Sequence, residues 1–112
     1  AYIQKRMSNR NLVLMILLFS ISISANNSLL IDVRTINEFE SGHIEDSLNI
    51  ELQNISSITN KITTDQKIYL YCRSGRRSQK ATEILLELGY KDVTNLGGIK
   101  EASEVLNKKI IQ

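Results

Sequence analysis

The chain of 112 residues has a single thiol, Cys72. Cys72 ends the apolar segment Lys67-Ile68-Tyr69-Leu70-Tyr71-Cys72 and is followed at once by Arg73-Ser74-Gly75-Arg76-Arg77-Ser78. Three guanidiniums so close to a sulfur favour the thiolate. Comparable electropositive settings lower a cysteine from about 8.5 to somewhere near 3.5–7.5. Gly75 permits the turn through which several backbone N–H groups converge on one anion. By itself, a cysteine closing an apolar strand reads as a small buried hydrophobe. The arginines reverse that reading, because cations at a helix N-terminus oppose its dipole unless an anion is held there. The expectation is a nucleophilic Cys72 in an anion cradle made by Arg73, Ser74, Gly75, Arg76, Arg77 and Ser78. Which arginine points inward is open.

Such a cradle needs a strand to end at the sulfur and a helix to begin just after it. Lys67–Cys72, rich in β-branched and aromatic residues, is the best strand in the chain. Ser78 to Leu88 follows as a helix with Ala81, Ile84, Leu85 and Leu88 on one stripe, stopped by Gly89. Upstream, Ser28-Leu29-Leu30-Ile31-Asp32-Val33 reads as a strand covered on both faces. Thr35 and Glu38 fit a capping box for a short helix ending near Gly42. Ser47–Ile50 is a second short strand. Asn54–Ile62 is a helix with Ile55, Ile58 and Ile62 inward. Asp92–Leu96 is a last strand, Gly97-Gly98 a turn, and Ile99 to about Ile110 a closing helix. Regular alternation of strand and helix predicts one α/β domain: a central parallel sheet with helices on both faces. In that architecture ligands bind outside the carboxyl ends of strands, where Cys72 sits. Asp32 and Arg34, at the end of the first strand, share that edge, and an Asp32–arginine ion pair is expected to brace the loop.

Composition narrows the field. The length suits one domain, and 42% hydrophobic with 23% charged residues is ordinary globular composition. One cysteine cannot make an internal disulfide or a cysteine-based zinc site. Of 14 Lys and Arg, three (Lys5, Arg6 and Arg10) precede residue 25, leaving eleven against 12 Asp and Glu. A body so near neutral gives no support to a nucleic-acid partner.

The three early cations introduce Leu12–Ile23, the uncharged run LVLMILLFSISI, which gives way to small and polar residues. This is the layout of a secretory signal peptide, with cleavage before Ala25 or Asn26. The run falls short of the roughly 20 apolar residues of a membrane span, although an uncleaved anchor is the alternative. Met7 opens the leader, and residues 1–6 are set aside as extra sequence. The reading is therefore a leader over 1–25, a domain over 26–112, and a periplasmic or exported product that meets a membrane only through its leader.

Taken together, several motifs resemble a rhodanese domain. Ile31-Asp32-Val33-Arg34, Glu38-Phe39, Gly42-His43-Ile44 and Asn49-Ile50 are similar to its opening signature. Tyr71–Ser78 resembles its active-site loop, and Leu88-Gly89-Tyr90 with Leu96-Gly97-Gly98-Ile99 its closing pattern. The likeness runs from Leu29 to Glu101 in order and is greatest to short, exported thiosulfate sulfurtransferases of the phage-shock type. It implies a monomeric enzyme without metal or organic cofactor. In that chemistry Cys72 takes the outer sulfur of thiosulfate as a persulfide, releases sulfite and passes the sulfur to cyanide or a thiol. Residues 73–78 would bind substrate, with Asp32 and Arg34 in support. His43 then reads as structural. Family members commonly carry Pro-Gly-Ala where this chain has Glu45-Asp46-Ser47, a change expected to alter loop stiffness rather than chemistry.

Two rivals stand beside this. A persulfide carrier or redox-sensing module would use the same cysteine without turnover. Phosphatase and arsenate-reductase relatives of the fold place Arg six positions after Cys. Here that position is Ser78, and Arg77 comes one residue early.

Overall fold

The computed structural model describes residues 27–112. The expected leader therefore lies outside the described residues. In chain order the elements are β1 (Ser28–Asp32), α1 (Ile36–Ser41), β2 (His43–Ile44), β3 (Leu48–Asn49), a 3₁₀ helix (Leu52–Asn60), β4 (Lys67–Cys72), α2 (Arg76–Glu87), β5 (Val93–Gly98), α3 (Ile99–Leu106) and β6 (Ile110–Ile111).

Four strands make a parallel sheet in the order β3-β1-β4-β5. From β1 the chain steps to one side for β3 and then to the other for β4. The switch point therefore lies between β1 and β4, and the crevice beyond their carboxyl ends is where such sheets bind ligands. Asp32 and Tyr71 are paired across these two strands, which brings the first-strand carboxylate and the Cys72 strand end to one edge.

Strand side chains alternate between faces, and the two cores follow that alternation. Ile31, Val33, Ile68, Leu70 and Cys72 bury one face under the 3₁₀ helix and α2, through Ile55, Ile58, Ala81 and Leu85. Leu30 and Tyr71 bury the other face with Ile44 and Ala102, joined by Leu96, Ile99 and Leu106. The parallel sheet covered on both faces is thus as the alternating pattern predicts.

Local signals explain most boundaries. Thr35 caps α1: its hydroxyl accepts the Glu38 N–H at 3.2 Å, while Glu38 Oε1 accepts the Thr35 N–H at 3.1 Å. In the 3₁₀ helix, Leu52, Ile55 and Ile58 are three apart, and the three-residue turn lines them up toward the core. At the site of the family departure, Ser47 N–H closes a turn onto the Ile44 carbonyl at 3.0 Å. Asp46 takes φ 70° within that turn, a conformation that Asp tolerates better than most residues.

Several boundaries differ from the sequence expectation, and the helix expected over Asn54–Ile62 is a 3₁₀ helix over Leu52–Asn60 that ends before Ile62, because its apolar residues recur every three positions. α2 begins at Arg76, two residues before Ser78, so the cradle is tighter than a loop running to Ser78. Gly97-Gly98 belongs to β5 rather than to a turn. The closing helix stops at Leu106 because Asn107 adopts the left-handed conformation (φ 53°, ψ 47°), a conformation Asn accepts at helix ends. Ser103 secures the stop, its carbonyl taking the Lys108 N–H at 3.1 Å. The released end becomes β6, antiparallel to β2.

Tyr71 links these layers. Its hydroxyl accepts the Ile44 N–H at 3.0 Å and shares a hydrogen bond with Ser47 Oγ at 3.1 Å. Burial pushes the phenol up to about 12, so the group stays neutral. Tyr71→Phe would leave the buried Ile44 N–H without an acceptor. The expected loss is about 1–3 kcal/mol, read as a lower urea midpoint at unchanged slope; an unchanged midpoint would mean that the hydroxyl has no structural role.

Candidate active site

β4 ends by placing the Cys72 sulfur on the α2 face of the sheet, where the residue is only 1% exposed. A buried thiolate needs donors, and the loop provides them. Gly75 N–H donates to Cys72 Sγ at 2.9 Å, and Ser78 Oγ–H donates at 3.3 Å. Burial pushes the thiol up. The Ser78 hydroxyl, the Ser78 amide and the amides of Ser74 and Gly75 pull it down further, and the result lies below the ordinary thiol value of 9.0. Hydrogen bonds to the charged form therefore outweigh desolvation.

The loop adopts this shape because Gly75 sits at φ 95° as the N-cap of α2. A side chain there would be strained, and its Cβ would lie 3.2 Å from Gly97 Cα. A Cβ on Gly98 would meet the Arg73 carbonyl oxygen at 2.6 Å. The loop is thus pressed against the last two residues of β5, and Cys72 is paired with Gly98 after an irregularity that begins at Leu70. Asn95 fastens the contact. Its Nδ2 donates to the Gly75 carbonyl at 3.1 Å, while its Oδ1 accepts the Gly97 N–H at 2.9 Å.

The six predicted cradle residues divide. Ser74, Gly75 and Ser78 face the sulfur with donors. Arg77 turns to Glu38 in a two-pronged pair, Nη1 to Oε1 at 2.8 Å and Nη2 to Oε2 at 3.0 Å. The Arg77 pair holds the Glu38 carboxyl down to about 2, against the opposing effect of burial and with help from Thr35. Arg73 and Arg76 are solvent-exposed, and among the described residues no ion pair engages either.

Asp32 and Arg34 act differently from the expected loop brace. Asp32 pairs with Arg34 itself, Nε to Oδ1 at 3.0 Å and Nη2 to Oδ2 at 2.7 Å. Arg34 Nη2 also donates to the Gly42 carbonyl at 2.6 Å, so the pair ties the end of β1 to the end of α1. The physical reason is proximity: a neighbour two residues away on the same strand end reaches the carboxylate first. The arginine of the loop is braced by Glu38 instead. His43 is structural as expected, with Nδ1 2.8 Å from the Phe39 carbonyl and its ring stacked on Phe39 at 3.8 Å. Two contributors were missed. Glu38 is legible as a helix cap and as part of the family signature but not as a partner of the loop arginine, and Asn95 gives no local signal beyond being a polar residue inside a strand.

Comparison with known proteins decides the family. Residues 20–104 match the rhodanese-like domain. The chain belongs to the rhodanese family. Thiosulfate sulfurtransferase PspE of Escherichia coli is 33% identical over 85% of this chain and 92% of its own length. YqhL of Bacillus subtilis is 45% identical over 64% of this chain, which spans only 58% of that relative. Among solved structures, a rhodanese with anions from E. coli superposes with TM-score 0.62 at 34% identity, covering 66% of this chain and 89% of the other. The rhodanese fold and a single cysteine at the end of β4 fit sulfurtransferase chemistry in general. No helix among the described residues is long and apolar enough to cross a membrane.

Because the Ser78 hydroxyl donates to Cys72 Sγ, Ser78→Ala should raise the Cys72 pKa, as expected for a lost hydrogen bond to the charged form. The pH dependence of carbamidomethylation by iodoacetamide reads this directly, and an unmoved midpoint would show that the amides suffice.

Proposed function

We propose that this rhodanese is a thiosulfate sulfurtransferase. The observation that carries the reading is the convergence of Gly75 N–H and Ser78 Oγ–H on the Cys72 sulfur at 2.9 and 3.3 Å. These donors stabilise a negative sulfur before and after transfer. The Cys72 thiolate attacks the outer sulfur of thiosulfate, forming the Cys72 S–S bond as the bond to the sulfonate sulfur breaks. Its electron pair leaves with sulfite. Cyanide or a thiolate then attacks the outer persulfide sulfur and takes it, returning the Cys72 thiolate. This is covalent catalysis in two displacements, and every proton and electron is supplied by the two substrates.

Arg73 and Arg76 are the cations available to meet the sulfonate oxygens, since Arg77 is engaged by Glu38. The same engagement speaks against a phosphatase, whose arginine must enter the cradle to grip a phosphoryl group. The named activities of the E. coli relatives, a thiosulfate sulfurtransferase and a rhodanese with anions, support the donor class. A putative sulfur carrier of B. subtilis, YrkF, is 34% identical over 70% of this chain, which spans only 43% of that relative; it supports the second reading, in which the persulfide is stored or delivered without turnover.

Thiocyanate formation from thiosulfate and cyanide separates the two. The expected result is many turnovers per protein, reduced on the order of 10³-fold or more in Cys72→Ser, as for loss of a covalent nucleophile. A single stoichiometric transfer by folded, reduced protein would favour the carrier.

We also propose that the leader exports the protein, on the strength of its cations followed by the apolar run Leu12–Ile23. Mass analysis of protein recovered from outside the cytoplasm should give an N-terminus at Ala25 or Asn26; recovery beginning at Met7 would refute cleavage.

A further inference from the structure

The cations around the Cys72 cradle are not equivalent. Arg34 is cancelled by Asp32 in a buried pair, and Glu101 brings a carboxylate against Gly98 on the β5 side. Arg73 and Arg76 are exposed. Arg77 lies between these extremes, locked to Glu38 by two bonds with both side chains about one-third exposed or less. Glu38 is itself anchored, since Oε1 also accepts from Thr35 Oγ1–H at 3.0 Å and from the Thr35 N–H at 3.1 Å. The pair is therefore electrically neutral, and Arg77 directly precedes Ser78, whose hydroxyl lies 3.3 Å from Cys72 Sγ. Arg77 is held protonated chiefly by Glu38 and, in smaller part, by the charge of Cys72 and Asp32.

We propose that Glu38 is a specificity-determining residue: by neutralising Arg77, it sets how strongly the Cys72 pocket prefers a doubly charged anion over a singly charged or neutral partner. The inference rests on the sulfur-transfer reading for its biological meaning, since thiosulfate is a dianion while thiol persulfides and organic sulfur donors carry less charge at the reacting end. With Glu38 present, Arg73 and Arg76 supply the uncompensated positive charge. Without it, Arg77 adds a third. Coulomb attraction scales with the charge of the incoming anion, so the gain for a dianion is about twice that for a monoanion and absent for a neutral reagent. The same added charge stabilises the thiolate.

A purely structural clamp predicts the opposite change in the thiol and no change in the ratio. Loosening the loop would spoil the cradle, raise the thiol pKa and slow every reagent alike. Glu38→Gln distinguishes the cases. Gln also serves at the third helical position of a capping box, so α1 keeps its cap while the carboxylate charge is removed. The probes are iodoacetate, an anion, and iodoacetamide, its neutral counterpart, both reacting with Cys72. In Glu38→Gln the iodoacetate to iodoacetamide rate ratio should rise about threefold or more, the effect of one nearby unit charge partly screened by water, and the thiol pKa should fall. Arg77→Gln, which leaves Glu38 unbalanced, should move both quantities the other way. The double variant restores neutrality and should return both toward the parent. A ratio that is unchanged or lower in Glu38→Gln, or a double variant no closer to the parent than the singles, would overturn the proposal. Alkylation requires no turnover. Absence of thiocyanate formation by the parent protein would thus sink the sulfur-transfer reading alone, while the ratio judges the charge assignment.

Discussion

A sulfur anion removed almost entirely from water has to be surrounded by donors, and in this chain the shortest such contact is the Gly75 N–H at 2.9 Å. Much of the local architecture is required to place it. The amide turns inward because Gly75 is left-handed, and Gly75 can pack there because Gly97 presents only a Cα. Gly98 has to lack a side chain because the Arg73 carbonyl occupies its space. Asn95 joins the two elements through the Gly75 carbonyl and the Gly97 amide. The irregular pairing between Leu70 and Cys72 brings Cys72 opposite Gly98. The paired glycines at the end of β5 are therefore part of the cradle's geometry, although they lie more than twenty residues from the cysteine.

Charge is managed on the same principle of local balance. An unpaired carboxylate near the sulfur would raise its pKa, and an unpaired buried guanidinium would be costly to desolvate. Asp32 with Arg34, and Glu38 with Arg77, remove both problems while fastening elements together. The first pair holds β1 against Gly42, and the second holds the N-terminus of α1 against the N-terminus of α2. Both helices gain from this. A carboxylate in the first turn of α1 complements the helix dipole, whereas Arg77 in the first turn of α2 would be unfavourable without its acidic partner.

What could be read from the sequence follows from how local each signal is. The strand closing at Cys72, the capping box at Thr35 and the apolar stripe of α2 all declare themselves within a few residues, and each is present in the fold, except that Leu88, expected as the last residue of that stripe, caps the helix and is 42% exposed. The stop of α3 was missed because Asn107 is a left-handed residue that does not advertise itself as Gly does. Once α3 stops, Ile110 and Ile111 become a strand, so a single misread cap displaced a whole element. The Glu38–Arg77 pair joins residues 39 positions apart, and no spacing rule within either segment points to it. Asn95 is similar: a polar residue in a strand explains itself only when the neighbouring loop is in view. The cradle's backbone donors were legible because glycine and sequence adjacency encode them. The side chains that brace the cradle come from distant strands and helices, and were not.

The balance at Cys72 also bears on how a lone thiol can work. Lowering a thiol's pKa increases the thiolate fraction but reduces the nucleophilicity of each thiolate, with a Brønsted slope of about 0.4–0.5. Burial here pushes the pKa up while four hydrogen-bond contributions push it down, so the thiolate is favoured while burial offsets part of the lowering. At 1% exposure Cys72 is largely withdrawn from solvent. The sequence holds one cysteine, so a resolving thiol is not supplied by this chain. On the proposed sulfur-transfer reading, the same N–H groups that face the thiolate would also face a persulfide carried on Cys72. The cradle therefore does not have to rebuild itself between the two halves of a sulfur-transfer cycle. Fixed dipoles that serve both charge states cost no reorganisation, and that economy is the strongest physical reason for a rigid loop braced from β5 and α1 rather than a mobile one.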